Sequence, residues 1–478
     1  MKSLMIENGV IPGPDSPDSF NVRVVPNEEK PPVVSQVEVI SVLMGLGHMR
    51  AAYPLRDISA DGILIYGSRR NTPPREYRIW KKIRHIYYLV SRIGNIPVIG
   101  KYLLAPMLAL QRIDPYYPVK DRSKANMAVK YLNLLIKRKG LCAALQQRIT
   151  DKTTHLVHTF YATAIAMDNE VNEGGFQENY LLICDADFNR VWVPGNPHTS
   201  RIKYLAPCTQ VKKRLLSYGV REENIFLTGF PLPKENLGSK ENLEILKEDL
   251  WKRLLRLDPT DKFFSFHRQS VFYWLNKRAM PKHRENHFTL TFAVGGSGAQ
   301  VDMIGKMLKS LQDKIRAKKI TLYLSAGIQK PVFEQILGYI NALQLSSYID
   351  RGITIVFDTD IYQYMEKFNR VLRVTDVLWT KPSELSFYCG LGIPILIAPP
   401  IGTHEELNKR WLREIHAGLT PPGELEYTHE WLFDLRENGR LAEAAWDGFL
   451  KARKLGTYQI EELVCNGNFT LSQHPLEQ

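Results

Sequence analysis

The stretch FTLTFAVGGSGAQ (residues 288–300) decides the fold. Its first half is an apolar run rich in β-formers. A glycine turn follows, and apolar residues then recur at helical spacing through residue 317. A strand that feeds a helix through glycines is the unit of a parallel α/β sheet. An earlier stretch, VEVISVLMGLGHMRAA (37–52), has the same grammar. Working outward from the first stretch, strand signals recur at 320–327, 353–358, 376–381 and 393–400. Helical patterns follow them at 330–344, 361–371, 383–390 and 404–415. Around the second stretch, strands are expected at 62–67, 155–162, 178–188, 202–207 and 224–233. A helix at 209–219 closes on Gly219, a C-cap signal.

The chain has 478 residues, enough for two or three domains. The reading is therefore α/β, two tandem Rossmann-like domains. The expected divisions are a mobile tail over 1–34, an N-terminal domain over 35–234, a C-terminal domain over 235–425 and closing helices over 426–478. Ligands are expected at the carboxyl ends of the strands, in the cleft between the domains.

Composition is that of a folded protein, with 44% apolar and 24% charged residues. Five cysteines at wide spacing, an odd number without C-x-x-C, point to a reducing compartment and away from a zinc ribbon. The start lacks the apolar core of a secretory signal, so a cytoplasmic location is expected.

The net charge of +13 is local. Residues 69–148 hold 18 Lys and Arg against Glu76, Asp114 and Asp121, a net +15, which leaves −2 for the rest. This segment lies inside the N-terminal domain as a basic helical insertion, 69–150. Ile79, Ile83, Ile86, Tyr87 and Val90 share one helical stripe, and Arg78, Lys81, Arg84 and Arg92 lie opposite. Residues 93–111 are apolar, but Lys101, Pro97 and Pro106 interrupt them, so they read as interfacial, not spanning. Two readings stay open: a core-packed excursion with a solvated basic face, or docking of 78–139 on an anionic membrane. No nucleic-acid motif accompanies the charge, so no nucleic-acid partner is expected.

Four motifs carry the candidate chemistry. In the first, Gly45 and Gly47 let the backbone approach a ligand. His48 on the same turn is the candidate catalytic base, a neutral imidazole able to take a proton from a hydroxyl. In the second, Gly295, Gly296, Ser297, Gly298 and Gln300 form a turn whose N–H groups suit a diphosphate. It is not a Walker A loop, because no Gly-Lys-Ser/Thr ends it. In the third, Lys381 is placed to pair with phosphate and Ser383 and Glu384 to meet a ribose, or Ser383 and Glu384 merely cap a helix. In the fourth, Glu405 and Asn408 lie three apart on one helix face and suit sugar hydroxyls. Position 408 is Asn, so the zincin motif H-E-x-x-H is absent. Asp185-Ala186-Asp187 and Asp358-Thr359-Asp360 sit at strand ends, where Asp is common, and no metal site is expected from them. Asp185 or Asp187 is the alternative polar group on the acceptor side of the cleft.

These motifs, in this order, resemble two-domain (GT-B type) glycosyltransferases, in particular monogalactosyldiacylglycerol synthases and lipid-linked cell-wall N-acetylglucosaminyltransferases. The matching segments are GLGHMRAA, IKYLAPCTQVKKRLLSYGVREENIFLTGFPLP, GGSGAQ and WTKPSELSFYCGLGIPILIAPPIGTHEELN, within residues 37–52 and 154–416. The family's ribose-binding Glu stands seven residues before the proline of Gly392-Ile393-Pro394. That position is Phe387 here, and Glu384 stands one turn earlier. The resemblance implies inverting sugar transfer from a nucleotide sugar, often a UDP-sugar. It implies no metal or other cofactor, and an acceptor that is a lipid or lipid-linked molecule at a membrane surface. A nucleotide-sugar epimerase of the same architecture and a catalytically degenerate nucleotide- or lipid-binding relative are the alternatives.

Overall fold

A computed structural model describes residues 36–93, 113–149, 153–168, 177–282, 285–294, 300–400 and 402–471. The expected tail 1–34, most of the interfacial stretch 93–111 and the glycine loop 295–298 lie outside the described residues.

The strands form two sheets of six. The first contains β1 (Val37–Val42), β2 (Ile63–Tyr66), β3 (His155–His158), β4 (Asn179–Leu182), β5 (Lys203–Leu205) and β6 (Ile225–Phe226), in the order β2-β1-β3-β4-β5-β6. The second contains β7 (Phe288–Ala293), β8 (Ile320–Gly327), β9 (Ile353–Phe357), β10 (Val377–Thr380), β11 (Ile395–Ile397) and β12 (Gly418–Leu419), in the order β12-β11-β10-β7-β8-β9. All strand pairs are parallel. The protein is thus two Rossmann-like α/β domains in tandem.

Parallel strands covered on both faces should be apolar without alternation. All six residues of β7 are buried, as are all four of β10. The covering helices show the complementary stripe. Helix Val301–Arg316 buries Val301, Ile304, Leu308, Leu311 and Ile315 and turns its charged residues outward.

Chain order reverses direction between β1 and β3 in the first sheet and between β7 and β10 in the second. Crevices outside the carboxyl ends of the strands open at such switch points. Here the two crevices face each other.

The helix expected at 383–390 is a 3-10 helix, Glu384–Leu391. Each of its eight residues is buried, so it has no solvent face to stabilise an amphipathic α-helix, and Gly392 in the left-handed region ends it. The closing helices also divide between the domains. Helices Thr428–Glu437 and Arg440–Lys451 pack on the second domain, with Trp431 against Trp379 and Phe433 against Phe288. Helix Gly456–Asn466 crosses back to the first. Thr457 donates to the Leu232 carbonyl, Glu461 pairs with Lys234, and Phe469 lies edge-on to Phe226. The closing helices thus attach to both domains.

The insertion is anchored by one buried carboxylate. Glu76 Oε1 accepts from the Tyr66 hydroxyl (2.8 Å), Trp80 Nε1 (3.2 Å) and the Cys142 amide (2.8 Å), and Oε2 accepts from the Ala144 amide (3.2 Å). Helix Pro74–Ile93 is thereby fixed to β2 and to helix Ala143–Arg148. Helix Met127–Lys139 starts on an Asn126 cap and ends on Gly140. It buries Ala128, Val129 and Leu132 while Met127, Tyr131 and Leu134 stay exposed beside Lys130 and Lys137. Among the described residues, no helix is long and apolar enough to cross a membrane.

Candidate functional site

The cleft is built from strand ends. From β1 come Met44, Gly45, Leu46, Gly47 and His48. From beyond β4 come Cys184 and Asp185, and from β7 comes Val294. Thr380 ends β10, and Lys381, Ser383, Glu384, Leu385 and His404 follow it. The enclosed space among the described residues is about 90 Å³. The two glycines have distinct roles. Gly45 has φ +95°, a conformation that strains other residues. At Gly47 a Cβ would stand 2.8 Å from Glu384 Oε2, so glycine is what lets the turn meet the second domain.

His48 is held in one tautomer. Its Nδ1 lies 2.6 Å from the Thr159 carbonyl, which can only accept, so Nδ1 carries the proton and Nε2 holds the lone pair. Phe160 lies edge-on to the ring at 5.1 Å. Burial pushes its pKa down to about 4, outweighing the Thr159 carbonyl, which raises it. The imidazole is neutral at pH 7, as an acceptor of a hydroxyl proton must be.

Asp185 lines the same cleft as His48. Its Oδ1 accepts from Asn408 Nδ2 at 2.8 Å. Burial raises its pKa, as do Glu384 and Glu405, against His404 and the Asn408 hydrogen bond. Asp187, two residues on, is not in the cleft. It pairs bidentately with Arg214, with both oxygens at 2.7 Å.

Across the seam, Arg50 reaches from the first domain into the second. Its guanidinium donates to Glu384 Oε1 (3.0 Å) and to the Tyr364 hydroxyl (2.6 Å), and it lies over the Phe368 ring at 4.7 Å. Tyr364 in turn meets the Ser325 hydroxyl at 2.8 Å. Glu384 is thus in the cleft, while Phe387 is in the core, stacked on Phe230 at 4.9 Å. Glu384, one turn before Phe387, thus brings a carboxylate to the cleft. The Ser383 hydroxyl makes no capping bond.

The remaining candidates are engaged by the protein. Lys381 Nζ meets Glu405 Oε1 at 2.5 Å. Gln300 Nε2 donates to the Pro399 carbonyl at 2.8 Å. Asn408 departs most from the expected contact with sugar hydroxyls. It is fully buried; its Oδ1 accepts from the Ala186 amide (2.7 Å), and its Nδ2 donates to Asp185 Oδ1 and the Pro382 carbonyl (3.1 Å). It joins residues 185–186 of one domain to residue 382 of the other, and its amide protons are already placed. Gly295, Gly296, Ser297 and Gly298 lie outside the described residues. Among the described residues, no group of three or more His, Cys, Asp or Glu is placed to hold a metal.

The sequence gives no signal for Arg50, although it lies two residues from His48, or for Thr159, whereas His404 opens the motif that holds Glu405 and Asn408. Their partners are distant in sequence, and no local spacing announces them.

A second buried imidazole sets an acid limit on the fold. His158 Nδ1 lies 3.0 Å from Thr163 Oγ1, whose own proton goes to the Phe160 carbonyl. The ring must therefore donate from Nδ1, and its buried Nε2 has no partner. Burial lowers its pKa to about 3. An unfolded histidine titrates near 6.5. Between that value and the folded values of His48 and His158 the unfolded chain binds more protons, so their contribution to stability falls as pH falls. The urea midpoint is expected to drop from pH 6.5 to pH 4. His158→Asn, which keeps the donor at the Nδ1 position, is expected to flatten that drop, and an unchanged slope would contradict the assignment.

A family model described as a domain of unknown function (DUF6938) matches residues 275–466, which span the second sheet and most of the closing helices. No curated protein matches the chain. Among solved structures, a UDP-GlcNAc 2-epimerase from Neisseria meningitidis aligns with 12% identity over 89% of this chain and 99% of its own, at a TM-score of 0.41. A glycosyltransferase from Rickettsia africae aligns with 12% identity over 90% of this chain and 98% of its own, at 0.36. The S. aureus MnaA–UDP structure aligns with 8% identity over 90% and 96%, at 0.41. At this level of similarity the matches assign no chemistry to this chain.

Proposed function

We propose that the protein is a GT-B type glycosyltransferase that moves a sugar, with inversion, from a nucleotide-sugar donor to the hydroxyl of an apolar or lipid-linked acceptor. The observation that carries this reading is the meeting of two switch-point crevices at a neutral, tautomerically fixed His48. In the reaction the acceptor oxygen gives its proton to His48 Nε2 and bonds to the anomeric carbon. The bond from that carbon to the diphosphate oxygen breaks, and the nucleoside diphosphate leaves with the electron pair. Lys381 and the 295–298 turn are assigned to the diphosphate, and Ser383 and Glu384 to the ribose. UDP is the nucleotide the resemblance implies.

The exposed Met127, Tyr131 and Leu134, with Lys130 and Lys137, support docking of the insertion on an anionic membrane. The chain is then a peripheral protein on the cytoplasmic side. Replacing Lys81, Lys82 and Arg84 together by Glu is expected to abolish sedimentation with anionic vesicles, and unchanged sedimentation would remove this part of the proposal.

The transfer reading is tested by incubating the protein with a UDP-sugar, with and without an acceptor alcohol. Release of UDP that needs the alcohol supports it. Interconversion of the UDP-sugar without any acceptor would mark an epimerase instead. UDP binding without turnover would mark a degenerate relative.

A further inference from the structure

A groove of about 530 Å³ lies at the edge of the second sheet, away from the cleft. Gly418 and Leu419 of the edge strand β12 form one side of it. Helices Lys262–Leu275 and Arg440–Lys451 contribute His267 and Trp446, and Arg413 reaches it from the last turn of helix Thr403–Glu414. It shares no lining residue with the cleft, so what it binds does not depend on the proposed sugar transfer.

Its hydrogen-bonding groups are out of balance. The two acids have partners. Asp447 pairs with Lys451 at 3.0 Å and stands 3.5 Å from His416 Nδ1, and Glu443 pairs with Arg440 at 3.4 Å. Three donors have none among the described residues. The Arg413 guanidinium makes no hydrogen bond or ion pair. The His267 ring is stacked on Phe263 at 4.8 Å, and neither nitrogen is hydrogen-bonded. Trp446 is only 3% exposed, and its indole N–H has no acceptor. That N–H is not sealed in the core as the Trp379 N–H is. A nearly buried donor calls for an acceptor from water or a ligand.

We infer that this groove is a second binding site, and that its ligand is a hydroxylated organic phosphate, of which a sugar phosphate is the simplest. The unmatched groups are all donors, so the ligand must bring acceptors. A phosphate monoester brings three charged oxygens, and the planar arginine fork matches them. The carboxylates of Glu443 and Asp447 repel a phosphate but accept from hydroxyls, as Thr420 also does, so the same ligand needs a hydroxylated part. Leu419, Ala444 and Trp446 supply carbon surface for its ring. The size lies within the range of small-molecule sites.

The test titrates glucose 6-phosphate calorimetrically into the full chain, with UDP in excess to occupy the cleft. Saturable binding of one glucose 6-phosphate per chain is expected, at least tenfold tighter than inorganic phosphate or glucose. Arg413 is exposed, so Arg413→Ala is expected to keep the melting temperature and to weaken glucose 6-phosphate at least tenfold. Arg410→Ala, on the same helix but outside the groove, is expected to leave binding unchanged. No saturable binding to the wild type would overturn the inference. Inorganic phosphate bound as tightly as glucose 6-phosphate, or equal losses in Arg410→Ala and Arg413→Ala, would overturn it too, by marking a general attraction of anions to surface charge. Glucose 6-phosphate bound as expected by a chain that binds no UDP would remove the nucleotide-sugar reading and leave the groove's assignment standing.

Discussion

His48→Ala is expected to lower the rate of sugar transfer by about 10²- to 10⁴-fold, the usual worth of a positioned general base. The donor KM should change little, since the ring is assigned to the acceptor's proton and not to the donor. The Thr159 carbonyl fixes which nitrogen is free, and burial keeps the ring neutral. His48→Asn separates these two roles. Its amide can still donate to Thr159 but has no group at the Nε2 position. If the proton goes to Nε2, the Asn variant should be as slow as the Ala variant while melting like the wild type. Transfer at the wild-type rate in either variant would show that His48 is not the base. Asp185, which lines the same cleft, would then be the next carboxylate to replace.

Asp187→Ala is expected to destabilise the first domain by about 3–5 kcal/mol, the usual cost of removing one partner from a buried ion pair. Arg214 and Asp187 have side chains only 1% and 4% exposed and are joined by two short bonds. Asp187 Oδ1 also accepts from the Phe188 amide, so the carboxylate ties the loop after β4 to helix Thr209–Ser217. Without it the guanidinium is left buried and uncompensated. The double variant Asp187→Leu with Arg214→Met removes both charges and should recover much of the loss. Urea unfolding followed by tryptophan fluorescence measures this. A change below about 1 kcal/mol in Asp187→Ala would contradict the account of a buried, obligatory pair.

These two residues show what a sequence can and cannot disclose. The Asp185-Ala186-Asp187 string reads as two equivalent carboxylates at a strand end. Along a turn after β4 their side chains diverge, one into the cleft and one into Arg214 below it, and only the position of helix Thr209–Ser217 decides which is which. The strands were legible because burial on both faces writes an apolar run directly into the chain, as in β7 and β10. His48 was legible because the turn that places it is local. The contacts of Asn408 with residues 185–186 and of Arg50 with Glu384 were not, since the partners come from the other domain. The basic insertion was legible as charge and, at Ile79 and Ile83, as an inner apolar stripe, but its anchor was not. Glu76 looks like one acid among many bases, yet it organises Tyr66, Trp80 and the amides at 142 and 144.

The cleft between the domains is proposed to bind a nucleotide sugar. The most direct measurement is calorimetric titration of UDP into the full chain, repeated with Glu384→Ala. The account predicts saturable one-to-one binding in the wild type and at least tenfold weaker binding in the variant, because Glu384 is assigned to the ribose. No binding of UDP or of any UDP-sugar by the folded wild type would contradict it.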